Sequence, residues 1–325
     1  MVKAIRIHKP GGPDALVWDD VEVDAPGPGQ VRLKQTAIGL NYIDVYHRTG
    51  LYPLPELPTP IGLEAAGVVE AVGEGVTELA VGDRVAYASP PLGAYAEARL
   101  MPADRLVKLP DQIDDRHAAA MMLQGMTVQY LIRRTYHVQP GQTVLFHAAA
   151  GGVGLIACQW LSRLGATVIG TVGSEEKAKL ARAHGCHHTI NYREEDFFER
   201  VKEITEGAGV PVVYDSVGKD TFDGSLKCLR PFGLLALFGA SSGPVPAFDL
   251  GRLAALGSLY ITRPTLMTYN AQRADLENSA AELFDAVLTG AVKIEVNQTY
   301  PLKDAAQAHR DLEARKTTGS TVLLT

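Results

Sequence analysis

Apolar and polar residues alternate in short runs through the first third of the chain. Residues 2–8, 31–40, 67–72 and 84–87 carry alternating or β-branched patterns, and turns rich in Gly and Pro at 10–13, 25–29 and 73–75 separate them. Such runs predict strands. From about residue 116 the spacing lengthens to a helical period, at 118–122 and 128–134. Apolar runs near 143–147, 167–172, 188–191, 211–215 and 233–238 then alternate with helical patterns. Strands alternating with helices predict an α/β fold built on a doubly wound parallel sheet. A further strand at 258–261 precedes Arg263-Pro264, and the tail carries helical patterns at 275–288 and 304–313 and a strand at 321–324. That tail breaks the βα repeat and is expected to return to the N-terminal domain. The predicted domains are 1–124, 125–264 and a return segment, 265–325. No low-complexity linker or internal repeat separates them, so a ligand cleft between packed domains is expected.

Within the α/β region, residues 143–171 read TVLFHAAAGGVGLIACQWLSRLGATVIGT. A strand, a Gly-rich turn, a helix and a second strand follow one another, which is the opening unit of a dinucleotide-binding domain. Ala148, Gly151 and Gly154 stand at A-x-x-G-x-x-G spacing, a variant of the dinucleotide fingerprint. Gly151 and Gly152 lack a Cβ, so a pyrophosphate can approach their N–H groups. Gly154 lets the helix press on the strand. The helix N-terminus, with Ala150 and Val153 beside these glycines, then favours the anion.

Which dinucleotide is bound depends on the second strand. NAD-preferring domains carry an acidic residue about twenty positions beyond the turn. Here the strand ends Thr171-Val172-Gly173-Ser174 without a carboxylate. Ser174 suits a helix N-cap, with Glu175 and Glu176 solvent-facing in the first turn. Lys177 shares that turn, where the dipole disfavours a cation unless it meets a 2′-phosphate. Tyr192, after the third strand, can add a hydroxyl or stack near adenine. These residues predict a preference for NADPH over NADH, with an exposed surface lysine as the alternative for Lys177.

At the carboxyl ends of later strands, where such sheets bind cofactor, stand Ser216 and Val217, then Phe238, Gly239, Ala240 and Ser241. Arg263 follows the last strand and can pair with a phosphate or restrict the cleft. Thr127 and Tyr130, at the entry to this domain, are candidates for the nicotinamide ribose, with helix packing as the alternative for both.

Composition narrows the class without naming a substrate. The 325 residues exceed what one core usually serves, and 46% hydrophobic with 21% charged is ordinary for a globular protein. A formal net charge of −6 and no basic, aromatic-rich stripe disfavour nucleic acid as a partner. No apolar run reaches a bilayer span, and the N-terminus lacks a secretory signal's apolar core. Three widely spaced cysteines, Cys158, Cys186 and Cys228, disfavour a disulfide framework and point to the cytoplasm. Cys186-His187-His188 is not read as a metal site, because neighbours on a strand point to opposite faces.

The segments AIGLNYIDVYHRTGLYP (37–53), GLEAAGVVEAVGEGV (62–76), HAAAGGVGLIACQW (147–160), INYREEDF (190–197), VVYDSVGKDTF (212–222) and GSLYITRP (257–264) carry a family resemblance over essentially the whole chain. It resembles the quinone oxidoreductases of the medium-chain dehydrogenase/reductase superfamily, in the zinc-free, ζ-crystallin-like branch, and most closely the bacterial quinone reductase subgroup. The resemblance implies a GroES-like, partly β-barrel catalytic domain beside the Rossmann domain, NADPH as cofactor, a small-molecule quinone as substrate, and a homodimer joined at sheet edges near 233–261. It implies a catalytic face bearing Asn41, Tyr46 and Tyr52, Asn41 also contacting cofactor, and Arg315 near the adenosine phosphate. A surface salt bridge is the alternative for Arg315, and core packing for the two tyrosines. Asp44 and His47 can be read as an acid–base pair or as structural hydrogen bonding.

Zinc enzymes of the superfamily carry Cys where this chain has Asn41, His where it has Leu63, and a further Cys near Gln124. Their four-cysteine structural loop is missing. Zinc needs thiolate or imidazole ligands, so no metal is expected. Hydride transfer from NADPH to a quinone tolerates that loss, since reduction creates an aromatic ring. Reduction of activated C=C bonds is the closest alternative activity. An RNA-binding, ζ-crystallin-like role is a more distant one. One-electron and two-electron quinone reduction both stay open.

Overall fold

The computed structural model describes residues 1–54 and 56–325. The N-terminal part holds β1 (Val2–Ile7), β2 (Leu16–Val21), β3 (Gln30–Leu40), α1 (Tyr42–Thr49), β4 (Thr59–Pro60), β5 (Glu64–Val72), β6 (Arg84–Ala88), β7 (Ala98–Pro102) and β8 (Val107–Lys108). Next comes α2 (Asp115–Tyr130), which continues as a π-helical turn, Leu131–Thr135. The two helical patterns expected at 118–122 and 128–134 are therefore one element. The alternating region gives β9 (Thr143–Phe146), α3 (Gly152–Arg163), β10 (Thr167–Val172), α4 (Glu175–Ala183), β11 (His188–Asn191), α5 (Phe197–Ile204) and β12 (Val210–Asp215). It continues with α6 (Phe222–Cys228), β13 (Leu229–Leu237), α7 (Gly251–Ala255) and β14 (Tyr260–Thr262). The tail comprises α8 (Leu266–Tyr269), α9 (Arg273–Leu288), β15 (Val296–Pro301), α10 (Ala305–Glu313) and β16 (Ser320–Leu324).

Two compact units result. The first comprises residues 1–124, 270–284 and 294–325, and the second 125–269 and 285–293. The tail is thus divided: 265–269 and 285–293 lie with the α/β unit instead of the return segment. The local cause is specific, since the Gln159 side chain bonds both the N–H and the carbonyl of Lys293.

In the first unit the main sheet runs β15-β16-β3-β5-β6-β8, with β7 also on β3. The eleven-residue β3 serves β7 at residues 30–34 and β16 at 37–40, and its register against β5 shifts twice. Such shifts bend a strand, which curves this sheet around one core. Ile5, Ile7, Val31, Leu33, Ile38, Val85 and Tyr87 fill that core, each apolar side chain contributing about 1.5–3 kcal/mol by burial. The register sets Gly39 opposite Glu64 and Leu40 opposite Thr321, so Asn41, Glu64 and Ser320 share one end of the sheet.

The second unit is a six-stranded parallel sheet ordered β11-β10-β9-β12-β13-β14. The α/β, doubly wound fold predicted from the alternation is the one observed. Its order reverses at β9, between β10 and β12, where ligands of open α/β sheets bind. Leu145, Ile169, Ile190, Val213 and Leu235 form its core. The cysteines are free and buried, and among the described residues no helix is long and apolar enough to cross a membrane.

Candidate active site

The turn after β9 has the geometry of a cradle. Ala148 adopts φ +56°, the left-handed region where the fingerprint's first glycine normally stands. Gly151 is the N-cap of α3. A Cβ on Gly154 would lie 2.3 Å from the Ala148 carbonyl oxygen and 2.7 Å from Ala149, so only glycine lets the helix start this close to the strand. A Cβ on Gly151 would meet only the Ala148 oxygen, at 3.3 Å. Ala150, Gly151, Gly152 and Val153 therefore present the backbone N–H groups of a helix start at the carboxyl edge of the sheet.

Buried polar groups hold this turn in place. The Asp215 carboxylate accepts from the N–H groups of Val217 and Gly218 at 2.8 and 3.0 Å, and from the hydroxyls of Thr221 and Ser225. Because Ser225 donates to Asp215, it accepts from His147 Nε2, 3.0 Å away, and His147 Nδ1 accepts from the Thr171 hydroxyl at 2.9 Å. Thr171 in turn accepts from the Ala148 N–H. Burial lowers the pKa of His147, which keeps the ring neutral as this chain requires.

The neighbouring loops converge on the same edge. A Cβ on Gly239 would strike the Ser216 backbone at 2.4 Å, and the Ser241 and Ser242 N–H groups bond the Ser216 and Val217 carbonyls. Ser216 and Val217 are thereby tied to Phe238, Gly239, Ala240 and Ser241. Arg263 Nη1 donates to the Leu237 carbonyl at 3.1 Å, placing it at the end of β13. At the tip of β10, Ser174 caps α4 and accepts from the Lys177 N–H. The hydroxyl end of Tyr192 approaches Gly173, where a Cβ would lie 2.6 Å from that oxygen. Glu175 is exposed and paired with Arg182, so Gly173, Ser174, half-buried Lys177 and Tyr192 form one group at the strand tip. Tyr130 is buried and stacked on Tyr269, with ring centroids 4.3 Å apart, and Thr127 bonds its hydroxyl. Both side chains are thus held by neighbours within this unit.

In the first unit Tyr42, Tyr46 and Tyr52 form a row with centroid spacings of 5.9 and 5.1 Å, and the Tyr52 N–H bonds the Tyr46 carbonyl. His47 packs edge-on against Tyr52. Arg315 is exposed beyond α10, with φ +59°, and acts electrostatically on Tyr42. Asp44 does not pair with His47. Its carboxylate reaches back to the Asn41 N–H at 2.9 Å and accepts from the Tyr95 hydroxyl at 3.0 Å.

Asn41 itself is enclosed. Its Nδ2 donates to Glu64 Oε2 at 2.6 Å, and its Oδ1 accepts from Gln124 Nε2 at 3.1 Å. The other Glu64 oxygen accepts the Leu123 N–H at 2.7 Å. Gly39 makes the approach possible, since a Cβ there would lie 2.2 Å from both Glu64 and the Ala119 carbonyl. This set does not fit zinc: Leu63 is buried and apolar, and the amides of Asn41 and Gln124 are spent on one another and on Glu64. Among the described residues no cluster of three or more His, Cys, Asp or Glu side chains is placed to hold a metal ion.

Sequence reasoning missed Glu64, Tyr95, His309 and Arg48. The only hint was charge inside apolar runs, such as Glu64 in GLEAAGVV. Arg48 is fully buried, forks onto Glu313 at 2.8 Å, and donates to His309 Nδ1 at 2.9 Å. His309 must then carry its proton on Nε2, which faces Tyr95. Burial, with Arg48 beside it, lowers the His309 pKa to about 3.

Burial pushes Asp44 up to about 7 and Glu64 up to about 8, against their hydrogen bonds. An acid whose pKa is raised on folding stabilises the fold below its unfolded pKa, and that stability is lost as pH rises through the folded value. Between pH 7 and 9 the chain should therefore lose about 1–2 kcal/mol of stability. Urea midpoints across that range check this, and a rising midpoint would contradict it.

Residues 27–111 match the alcohol dehydrogenase GroES-like domain, and residues 152–285 match the zinc-binding dehydrogenase family. The second match contains none of Asn41, Leu63 or Gln124. Quinone oxidoreductase from Pseudomonas aeruginosa is 55% identical over 100% of both chains. A 2-haloacrylate reductase from Burkholderia is 54% identical over 100% of this chain and 99% of its own. The crystal structure of Escherichia coli quinone oxidoreductase complexed with NADPH is 50% identical, covers 99% of this chain and 100% of that one, and superposes with a TM-score of 0.98. With full-length identity to named quinone oxidoreductases and this two-unit fold, the chain belongs to the quinone oxidoreductases of the medium-chain dehydrogenase/reductase superfamily.

Proposed function

We propose that this chain reduces quinones with NADPH and without a metal ion. The observation that carries the reading is the likeness over nearly the whole chain to the E. coli quinone oxidoreductase complexed with NADPH. NADPH when bound supplies the hydride. The start of α3, from Ala150 to Val153, holds the pyrophosphate through backbone N–H groups. Ser174, Lys177 and Tyr192, with Gly173 beside the tyrosine hydroxyl, receive the 2′-phosphate. Arg263 and Arg315 supply further positive charge toward the phosphates, and Thr127 and Tyr130 back the nicotinamide ribose. The loops at 216–217 and 238–241 line the cofactor's path along the sheet edge.

Asn41, Tyr46 and Tyr52 face the quinone. Their neutral donors stabilise the carbonyl oxygen on which negative charge gathers, and a proton from water completes the hydroquinone. Tyr46→Phe and Tyr52→Phe should each lower quinone turnover about tenfold or more with NADPH affinity preserved. Unchanged turnover in both would assign the tyrosines to packing. The carboxylate-free tip of β10 gives NADPH the higher kcat/KM, and a higher value with NADH would overturn the cofactor assignment.

Reduction of an activated C=C bond is the second reading, favoured by the 54% identity to a 2-haloacrylate reductase. Parallel assays with 1,4-benzoquinone and a 2-haloacrylate separate the two. The assembly proposed is a homodimer through β14, the last strand of its sheet, where Tyr260, Phe232 and Leu250 are all more than half exposed. A charged residue at position 260 should yield monomers in sedimentation, and an unchanged mass would place the interface elsewhere.

A further inference from the structure

Four buried polar side chains, Asn41, Glu64, Gln124 and Ser320, form a chain whose hydrogen bonds all run in one direction. Ser320 Oγ donates to Gln124 Oε1 at 2.8 Å, Gln124 Nε2 to Asn41 Oδ1 at 3.1 Å, and Asn41 Nδ2 to Glu64 Oε2 at 2.6 Å. An ionised carboxylate only accepts, so it fixes every donor behind it. The far end is different in kind, because a hydroxyl can donate or accept. Ser320 Oγ also lies 3.0 Å from the Ala120 carbonyl, and its single proton serves only one of the two oxygens at a time.

A proton on Glu64 Oε2 reverses the whole chain without leaving a donor stranded. Glu64 then donates to Asn41 Oδ1, Asn41 Nδ2 to Gln124 Oε1, Gln124 Nε2 to Ser320 Oγ, and Ser320 to the Ala120 carbonyl. The Leu123 N–H keeps its acceptor on Glu64 Oε1 throughout. Each amide turns about its last torsion by half a rotation and no backbone moves. We propose that Glu64, through Gln124 and Ser320, is a positioning residue that decides which way round the Asn41 amide stands, and so where its second N–H and its free carbonyl lone pair face a ligand. The proposal rests on the reading that Asn41 contacts the reactants.

The carboxyl that makes the choice titrates in a useful range, since burial raises it to about 8. The groups facing it are Asp44 from α1, Tyr87 from β6 with Arg99 beside it, and Tyr95, with the N–H groups of Leu123 and Met122 from α2. All of these stay in place in the variants below.

The test is the pH dependence of kcat/KM for 1,4-benzoquinone with NADPH. The wild type should show a step centred near pH 8. In Glu64→Gln the neutral side chain keeps its oxygen on the Leu123 N–H and turns its amide to Asn41, which locks the reversed chain. That variant should lack the step and run within about twofold of the wild-type low-pH plateau across the range. In Ser320→Ala the reversed chain loses one more bond than the forward chain, so the step should move down by about half to one pH unit. No step in the wild type, a persistent step in Glu64→Gln, or an unmoved or raised midpoint in Ser320→Ala would each overturn the proposal. Asn41→Ala separates the two levels. Wild-type kinetics there would defeat the contact reading itself, whereas an impaired Asn41→Ala beside a Glu64→Gln that keeps its step defeats only the positioning role.

Discussion

An Asp215→Ala variant is expected to lose about 3–5 kcal/mol of stability and to bind NADPH at least about tenfold more weakly. Asp215 is fully buried and accepts from two backbone N–H groups and two hydroxyls, of which the Gly218 N–H and the Ser225 hydroxyl are buried with it. Removing an acceptor shared by four donors, two of them fully buried, costs far more than one surface hydrogen bond. The loss also travels along a directional path. Without Asp215, Ser225 has no reason to hold its oxygen toward His147, and Thr171 no reason to keep its own toward the Ala148 N–H. The turn after β9 and the loop at 216–218 would loosen together. Thermal unfolding and an NADPH fluorescence titration read the two effects. A variant that melts as the wild type does would mean that water reaches Asp215.

A Gly154→Ala variant should bind NADPH about 10- to 100-fold more weakly while the other unit keeps its fold. Its new methyl would lie 2.3 Å from the Ala148 oxygen, a backbone atom that cannot swing away. Overpacking of this kind costs about 1–3 kcal/mol, and here the strain falls on the turn proposed to offer its N–H groups to the phosphates. Gly151→Ala is the informative partner. Its methyl meets the same oxygen at 3.3 Å, so the protein accommodates it with a small shift. A loss of affinity there at unchanged stability reports the approach of the pyrophosphate. Equal, wild-type affinity in both variants would remove the turn from the site.

The parts legible in the sequence are those whose physics is local. β9, the glycine turn, α3 and β10 follow one another within thirty residues, and the Ser174 cap is a matter of three positions. Strands with a buried face, such as β3 and β5, announce themselves by apolar period. β15 does not: it reads VNQTYP, with three polar residues in succession and a closing proline, as suits the edge of a sheet. Tyr130 shows the limit for single residues, because its stacking partner Tyr269 comes from another element that no local spacing connects to it.

The site's polar scaffold was hidden for the same reason. Arg48 meets His309 across 261 residues of chain, and Glu64 meets Leu123 across 59. No spacing rule connects such positions. Asn41 and Gln124 could be seen to lack zinc-binding chemistry, but not that they bond each other, nor that Glu64 closes the set. The glutamate stands one residue from Leu63 in a largely apolar strand, and no local pattern marks its partners.

Metal-free reduction of a quinone by NADPH is tested most directly by steady-state oxidation of NADPH by 1,4-benzoquinone, using chelator-treated protein whose zinc content is measured by elemental analysis. Full turnover is expected at far less than one zinc per chain, with no gain on adding Zn²⁺. Turnover that is absent from the metal-free protein and restored by zinc would contradict it.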